Sequence, residues 1–125
     1  MTVIVIDDDP VTVTLLERFL DICDYPQPET YRQGKEALDV LRPQYRPSAH
    51  YVIFLDLNMP VMDGWEFLDS LHPFASAENM QIYVVTSSVD ERDRKQALAS
   101  PFVRDYLVKP VLPETLTAIK KNLGI

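Results

Sequence analysis

The chain has 125 residues, of which 46% are apolar and 25% are charged, and its formal net charge is −7. This length suits one domain with a substantial core, and this composition excludes a disordered chain. The negative charge disfavours nucleic acid and anionic membranes as partners and favours a metal cation or a basic protein.

The chain carries no feature that predicts export or membrane insertion. Cys23 is the single cysteine, so no internal disulfide can form. The first residues, MTVIVIDDD, lack a basic leader, and no apolar stretch approaches the ~18 residues of a membrane helix. We therefore expect a soluble, cytoplasmic protein.

The first half of the chain alternates between strand and helix patterns. A β-branched run at Val3–Ile6 predicts a strand, and Asp9 and Pro10 fit the N-cap and first position of a helix over 10–24. One face of this helix carries Leu15, Leu16, Phe19, Leu20 and Cys23. A weak strand at 29–31 and a short helix after Gly34 follow, and the two prolines of 42–50 predict a loop.

The second half continues the same alternation. Strands are predicted at 51–55, 82–85 and 106–108, and helices at 65–71, 90–99 and 113–123. The runs YVIFL and IYVV are apolar without alternation, which is typical of strands buried on both faces of a parallel sheet. The sequence thus predicts an α/β fold with a doubly wound, five-stranded parallel sheet and helices on both sides.

Ligands of such sheets bind beyond the carboxyl ends of the strands, so the residues that follow each strand are the candidate site. These residues are Asp7, Asp8 and Asp9, then Asp56 and Asn58, then Thr86, Ser87 and Ser88, and finally Lys109. Carboxylate oxygens suit Mg²⁺, and a metal with a lysine and a hydroxyl can neutralise a phosphoryl group that a carboxylate attacks. The sequence predicts a phosphoryl-transfer site.

The motifs DDDP, FLDLNMPVMDGWEFL, VVTSS and YLVKP, in this order and spacing, resemble the receiver domain of two-component response regulators. The resemblance extends from Val3 to the last helix and implies one receiver domain over residues 1–125 with a flavodoxin-like (βα)5 fold and strand order 2-1-3-4-5. It implies a phosphoacceptor signalling domain, not an enzyme, that assists its own phosphorylation and dephosphorylation. The partners implied are a histidine kinase or phosphotransfer protein and a downstream protein, and the resemblance allows a phosphorylation-dependent dimer.

The resemblance also assigns roles to single residues. Asp56 is expected to accept the phosphoryl group, with Lys109 and Thr86 as its ligands. Mg²⁺ is expected on Asp7, Asp8, Asp56 and the backbone carbonyl of Asn58. Thr86 and Tyr106 occupy switch positions, Asn58 and Ser88 occupy positions that tune loss of the phosphoryl group, and the bond from Lys109 to Pro110 is expected to be cis.

Two other functions compete with this interpretation. DDDPV also matches the D-x-D-x-[TV] pattern of haloacid dehalogenase-like phosphatases, in which Asp7 would be the nucleophile and Asp9 the general acid. That family needs a later acidic pair for its metal, whereas only Glu114 is acidic after Lys109. The phosphatase interpretation also leaves Asp56 without a role. The other is a pseudo-receiver that binds partners without phosphorylation, which the retention of every reactive residue disfavours.

Overall fold

The computed structural model describes residues 1–124. Five strands and five helices alternate along the chain. The strands are β1 (Thr2–Ile6), β2 (Glu29–Tyr31), β3 (Tyr51–Leu55), β4 (Met80–Thr86) and β5 (Val103–Val108). The helices are α1 (Pro10–Ile22), α2 (Gly34–Gln44), α3 (Gly64–Leu71), α4 (Glu91–Leu98) and α5 (Pro113–Leu123).

The five strands form one parallel sheet in the order β2-β1-β3-β4-β5, which confirms the predicted fold class and strand order. In this order, β1 and β3 lie side by side at the centre, with Ile6 paired to Leu55. The chain therefore leaves both central strands at the same edge, and Asp7 and Asp56 emerge next to each other. Similarly, Thr86 pairs with Val108, which brings the residues after β4 and β5 to that edge.

Side chains of the central strands alternate between two apolar cores, one on each face of the sheet. One core contains Ile4, Ile53 and Ile82 with residues of α2, α3 and α4. The other contains Val3, Phe54 and Val85 with residues of α1 and α5. This burial on both faces explains why the strands lack polar alternation. Within residues 1–124, no helix combines the length and the hydropathy needed to cross a bilayer.

Besides small shifts in the ends of α1 and β4, three details differ from the sequence prediction. Helix α2 continues to Gln44 with Pro43 inside it, because a proline in the last turn removes only one backbone donor while its φ suits a helix. Strand β5 begins at Val103 rather than Tyr106. The charged residues at 104 and 105 interrupt the apolar pattern, but an edge strand can hold them because they are exposed there. Leu15, expected on the buried face of α1, is 41% exposed.

A buried polar network lies at the opposite end of the sheet and was not predicted. Asn79 is 5% exposed, and its side chain donates to the carbonyls of Arg46 and Ala49 at 3.0 and 2.8 Å. The Tyr45 hydroxyl donates to Asn79 Oδ1 at 2.6 Å, and the Tyr45 ring stacks on Tyr51 with centroids 5.4 Å apart. These contacts hold together the loops that precede β3 and β4.

Candidate phosphoacceptor site

Two carboxylates lie buried side by side at the carboxyl edge of the sheet. Asp7 is 2% exposed and Asp56 is 5% exposed. The Asp56 amide donates to the Ile6 carbonyl at 3.0 Å, so the ladder between β1 and β3 continues past both strands and fixes the two acids as neighbours. Two like charges in a partly desolvated site repel each other, so the arrangement needs a compensating cation.

Lys109 supplies one such cation within the chain. Its Nζ lies 2.9 Å from Asp7 Oδ2 and 3.4 Å from Asp56 Oδ2, and its side chain is 17% exposed. The Lys109 amide donates to the Thr86 carbonyl at 2.8 Å, which extends the ladder between β4 and β5 and aims the lysine at the acids. The bond from Lys109 to Pro110 is cis, as expected.

The ionisation of Asp56 reflects this environment. Burial, followed by the charge of Asp7, raises the pKa of Asp56 to about 6, and the opposing attraction of Lys109 only limits the rise. Burial lowers the pKa of Lys109, but Asp7 and Asp56 outweigh it, so the pKa of the ammonium lies above its ordinary value. At pH 7 and above, the site therefore holds a charged lysine and an ionised Asp56.

The acids are also arranged as a candidate metal site. Carboxylate oxygens of Asp7, Asp8 and Asp56 all lie within 4.8 Å of one another, with Asp8 exposed to solvent. Asp7 Oδ2 is buried and, within residues 1–124, accepts no well-aligned hydrogen bond, since the Lys109 ammonium lies close but out of line. A buried carboxylate oxygen that has the Lys109 ammonium beside it but no well-aligned hydrogen bond, among other carboxylate ligands, fits Mg²⁺. Asn58, whose amide donates to Asp56 Oδ1 at 3.3 Å, lies in the adjoining loop.

The Asp9 carboxylate has a different role from those of Asp7 and Asp8. Its carboxylate accepts from the Val11 amide at 3.1 Å and from the Thr12 hydroxyl at 2.9 Å, so it caps α1 as predicted. These hydrogen bonds, the one from Thr12 first, lower the pKa of Asp9. Asp9 is exposed and does not belong to the group of close acids.

The residues after β4 form the other wall of the site. Thr86 is fully buried, and its hydroxyl oxygen accepts from the Ser88 amide at 3.2 Å. Tyr106 is 6% exposed, and its hydroxyl donates to the Ser88 carbonyl at 3.0 Å. The residues predicted at the switch positions are therefore connected to each other through Ser88.

The loop between β3 and α3 contains features that the sequence did not reveal. A Cβ on Gly64 would lie 2.6 Å from the Asp56 carbonyl oxygen and 2.8 Å from Leu57 Cα, so only glycine lets α3 begin so close to Asp56. Val61 has φ +69° and is 76% exposed, and the Met62 amide donates to the Pro60 carbonyl at 2.8 Å around it. Positive φ is unfavourable for a β-branched residue, so this turn is strained.

Comparison with known proteins agrees with this geometry. Residues 3–121 match the family model described as "Response regulator receiver domain". The chain is 33% identical over 124 residues to "Two-component response regulator ORR26" of Oryza sativa subsp. japonica, a match that covers 98% of this chain and 20% of that protein. The chain thus spans about a fifth of the length of the plant response regulators ORR26 and ARR11.

Solved structures give the same result for the fold. A two-component response regulator from Cytophaga hutchinsonii superposes with a TM-score of 0.86 at 25% identity, over 98% of this chain and 96% of that one. The chemotaxis response regulator CheY4 of Vibrio cholerae superposes with a TM-score of 0.76 at 28% identity, over 98% and 97% of the two chains. Because the family model covers nearly the whole chain, this protein belongs to the response regulator receiver domain family of two-component signalling.

Proposed function

We propose that this chain, as a single receiver domain, accepts a phosphoryl group on Asp56 from a phosphohistidine of a kinase or phosphotransfer protein. The observation that supports this proposal most directly is that the Asp56 carboxylate is buried, with Lys109 Nζ at 3.4 Å and Asp7 beside it. In the reaction, a carboxylate oxygen of Asp56 forms the new bond to phosphorus while the bond from phosphorus to the imidazole nitrogen breaks. The electron pair stays on the imidazole, and an acyl phosphate results.

The surrounding residues act on the charge that the phosphoryl group carries. Lys109 keeps its proton at neutral pH and can neutralise an equatorial oxygen, while the Thr86 hydroxyl would donate to another. Asp7, Asp8, Asp56 and the Asn58 carbonyl would hold Mg²⁺, which supplies further neutralisation of the phosphoryl oxygens when bound. The protein thereby assists its own phosphorylation and, with the same groups, its dephosphorylation.

The response to phosphorylation would begin at Thr86. A phosphoryl group adds about −1.5 to −2 charges at this edge, which attracts the Thr86 hydroxyl. Thr86 is connected to Tyr106 through Ser88, so its displacement would alter the β4–α4 loop and the exposed side of β5. A downstream protein that distinguishes the two arrangements would receive the signal.

An apolar surface beside the site suits the protein that donates the phosphoryl group. Val11 and Leu15 on α1 and Leu112 before α5 are 64%, 41% and 50% exposed. A groove of about 270 Å³ is lined by Val11 and Leu15 together with Lys109 and Pro110. Because this surface is continuous with the acceptor edge, a partner bound there can bring a histidine to Asp56, and apolar contacts would supply the binding energy.

The phosphatase alternative is less consistent with the positions of the acids. It requires Asp9 as general acid, whereas the Asp9 carboxylate accepts hydrogen bonds from Val11 and Thr12 and has a lowered pKa. A general acid needs a raised pKa, whereas these hydrogen bonds shift the pKa of Asp9 in the opposite direction.

Phosphorylation by a small phosphodonor in the presence of Mg²⁺ tests the proposal. The wild type and the exposed control Asp39→Asn should each gain one phosphoryl group that base and hydroxylamine remove, and Asp56→Asn should gain none. Labelling that persists in Asp56→Asn and disappears in Asp7→Asn would support the phosphatase instead. Absence of labelling in the wild type, with small donors and with histidine kinases, would support a pseudo-receiver.

A further inference from the structure

Ser88 forms four hydrogen bonds that join the acceptor edge to helix α4. Its amide donates to the Thr86 hydroxyl oxygen at 3.2 Å, and its carbonyl accepts from the Tyr106 hydroxyl at 3.0 Å. Its own hydroxyl accepts from the Asp90 amide at 3.2 Å and donates to Asp93 Oδ2 at 2.7 Å. Asp93 is thus the contact that ties this loop to the first turn of α4.

The bond to Asp93 decides what the Ser88 hydroxyl can do. A serine hydroxyl has one proton, and here a carboxylate accepts it at a distance typical of a strong, charge-assisted hydrogen bond. While this bond persists, the Ser88 hydroxyl cannot donate to a group at the acceptor edge. The hydroxyl nevertheless belongs to the residue whose amide contacts Thr86, so rotation about one side-chain bond can turn it away from α4.

Asp93 has no competing ion pair within residues 1–124. The neighbouring Arg92 pairs with Asp90 at 2.9 Å, and Arg94 lies 3.9 Å from Glu91. Asp93 is half-buried, so a basic group of a bound protein can reach its carboxylate. The Asp93 carboxylate can therefore accept from the Ser88 hydroxyl, and a basic group of a partner protein can still reach it.

From these contacts we infer that Asp93 is a positioning residue that keeps the Ser88 hydroxyl away from a phosphoryl group on Asp56 and so lengthens the life of the phosphorylated state. This inference rests on the proposed function. In the loss step, water attacks phosphorus, the bond to the Asp56 oxygen breaks with its electrons remaining on the carboxylate, and inorganic phosphate leaves. Negative charge on the phosphoryl oxygens must be stabilised in that step, and an added hydroxyl donor would stabilise it.

The same contact couples phosphoryl lifetime to the surface of α4. A basic group that binds Asp93 competes with the Ser88 hydroxyl and releases it. Such a partner would shorten the phosphorylated state by releasing the hydroxyl. A phosphoryl group that attracts the Ser88 hydroxyl away from Asp93 would in turn strengthen the binding of the partner to Asp93, because coupling between two binding equilibria is reciprocal.

The test is the rate at which the acyl phosphate is lost after the donor is removed. Asp93→Ala should lose its phosphoryl group about fivefold faster than the wild type, which is the value of one typical hydrogen bond. Asp93→Asn keeps an acceptor oxygen and should restore the slow rate. Glu91→Ala removes an equal charge from the same turn of α4 without touching Ser88, and its rate should equal that of the wild type.

A double variant separates positioning from a general effect on α4. If Asp93 acts through the hydroxyl, Asp93→Ala should have no effect on the loss rate when Ser88→Ala is already present. An equal acceleration in both backgrounds, or an unchanged rate in Asp93→Ala, overturns the inference while leaving phosphorylation of Asp56 intact.

The inference remains testable even when the wild type takes up no phosphoryl group, a result that would overturn the proposed function. Amide exchange of the unphosphorylated protein then reports on the contact directly, because the Asp90 amide donates to the Ser88 hydroxyl oxygen. Asp93→Ala should speed exchange at Asp90 and Ser88, whereas Glu91→Ala should not. Unchanged exchange in Asp93→Ala would show that Asp93 does not position Ser88.

Discussion

Replacing Asp56 by asparagine should stabilise the protein at neutral pH, because the wild-type carboxylate is ionised in a buried, acidic site. The folded pKa of Asp56 is about 6, against an ordinary value of 3.8. Between pH ~4 and ~6, the folded state therefore holds more protons than the unfolded state. Stability falls as pH rises through that window, and the loss is complete above it.

The size of the effect follows from the shift in pKa. A rise of about two units corresponds to ~3 kcal/mol, which is an upper value because the denatured state and local relaxation reduce it. Asparagine has nearly the same shape without the charge, and Lys109 keeps its contact with Asp7 at 2.9 Å. We expect Asp56→Asn to raise the free energy of unfolding by about 1 to 3 kcal/mol at pH 8 and by little at pH 4.

Urea unfolding of wild type and variant across pH 4 to 8, with a chelator present, measures this difference. Asp39→Asn, at an exposed position on α2, is the matched control. Its free energy of unfolding should differ little from that of the wild type, and the difference should not change with pH. At 100 times its dissociation constant, Mg²⁺ should stabilise the wild type by ~2.7 kcal/mol and Asp56→Asn by less. The reasoning would be refuted if the stability gained by Asp56→Asn over the wild type did not grow between pH 4 and 6, or if the variant were less stable than the wild type at pH 8.

Four further substitutions test other parts of the structure. Gly64→Ala should destabilise the fold by about 2 kcal/mol or more and impair labelling of Asp56, because its Cβ would lie 2.6 Å from the Asp56 carbonyl oxygen. Val61→Asn should stabilise the fold by about 1 kcal/mol by relieving the strain at φ +69°. Asn79→Ala should cost about 2 kcal/mol by leaving buried polar groups unpaired, with labelling unchanged. Leu15→Ser should slow phosphotransfer from a protein donor about fivefold and leave labelling by a small donor unchanged.

Urea unfolding at constant pH measures the first three changes, and the rate of phosphotransfer measures the fourth. A Gly64→Ala protein of wild-type stability would contradict the close approach of α3 to the acceptor. Equal slowing of both donors by Leu15→Ser would show that Leu15 supports the site itself and not the binding of a partner.

Much of this fold can be predicted from the sequence because its signals are local. Runs such as YVIFL are apolar on both faces, and polar residues follow each run directly, so strand ends and site residues coincide. The capping role of Asp9 is equally local, since its carboxylate accepts from the amide of Val11, two residues further along. Strand order required the resemblance to a family, because periodicity contains no information about which strands are neighbours.

Features that depend on distant residues could not be predicted in this way. The contact of Tyr45 with Asn79 joins residues 34 positions apart, and neither residue belongs to a recognisable motif. Leu15 has the spacing of a core residue but is 41% exposed, because α1 presents only part of its apolar face to α5 and the sheet. The bond between Ser88 and Asp93 is close in sequence, yet the charged run that contains Asp93 is typical of a solvated helix face.

The position of the phosphoryl group tests the central claim most directly. The wild type is labelled with a small phosphodonor and Mg²⁺, the acyl phosphate is reduced with borohydride, and peptide mass spectrometry locates the resulting homoserine. The account predicts homoserine at position 56 alone. Homoserine at position 7, or at any acid other than Asp56, would contradict it.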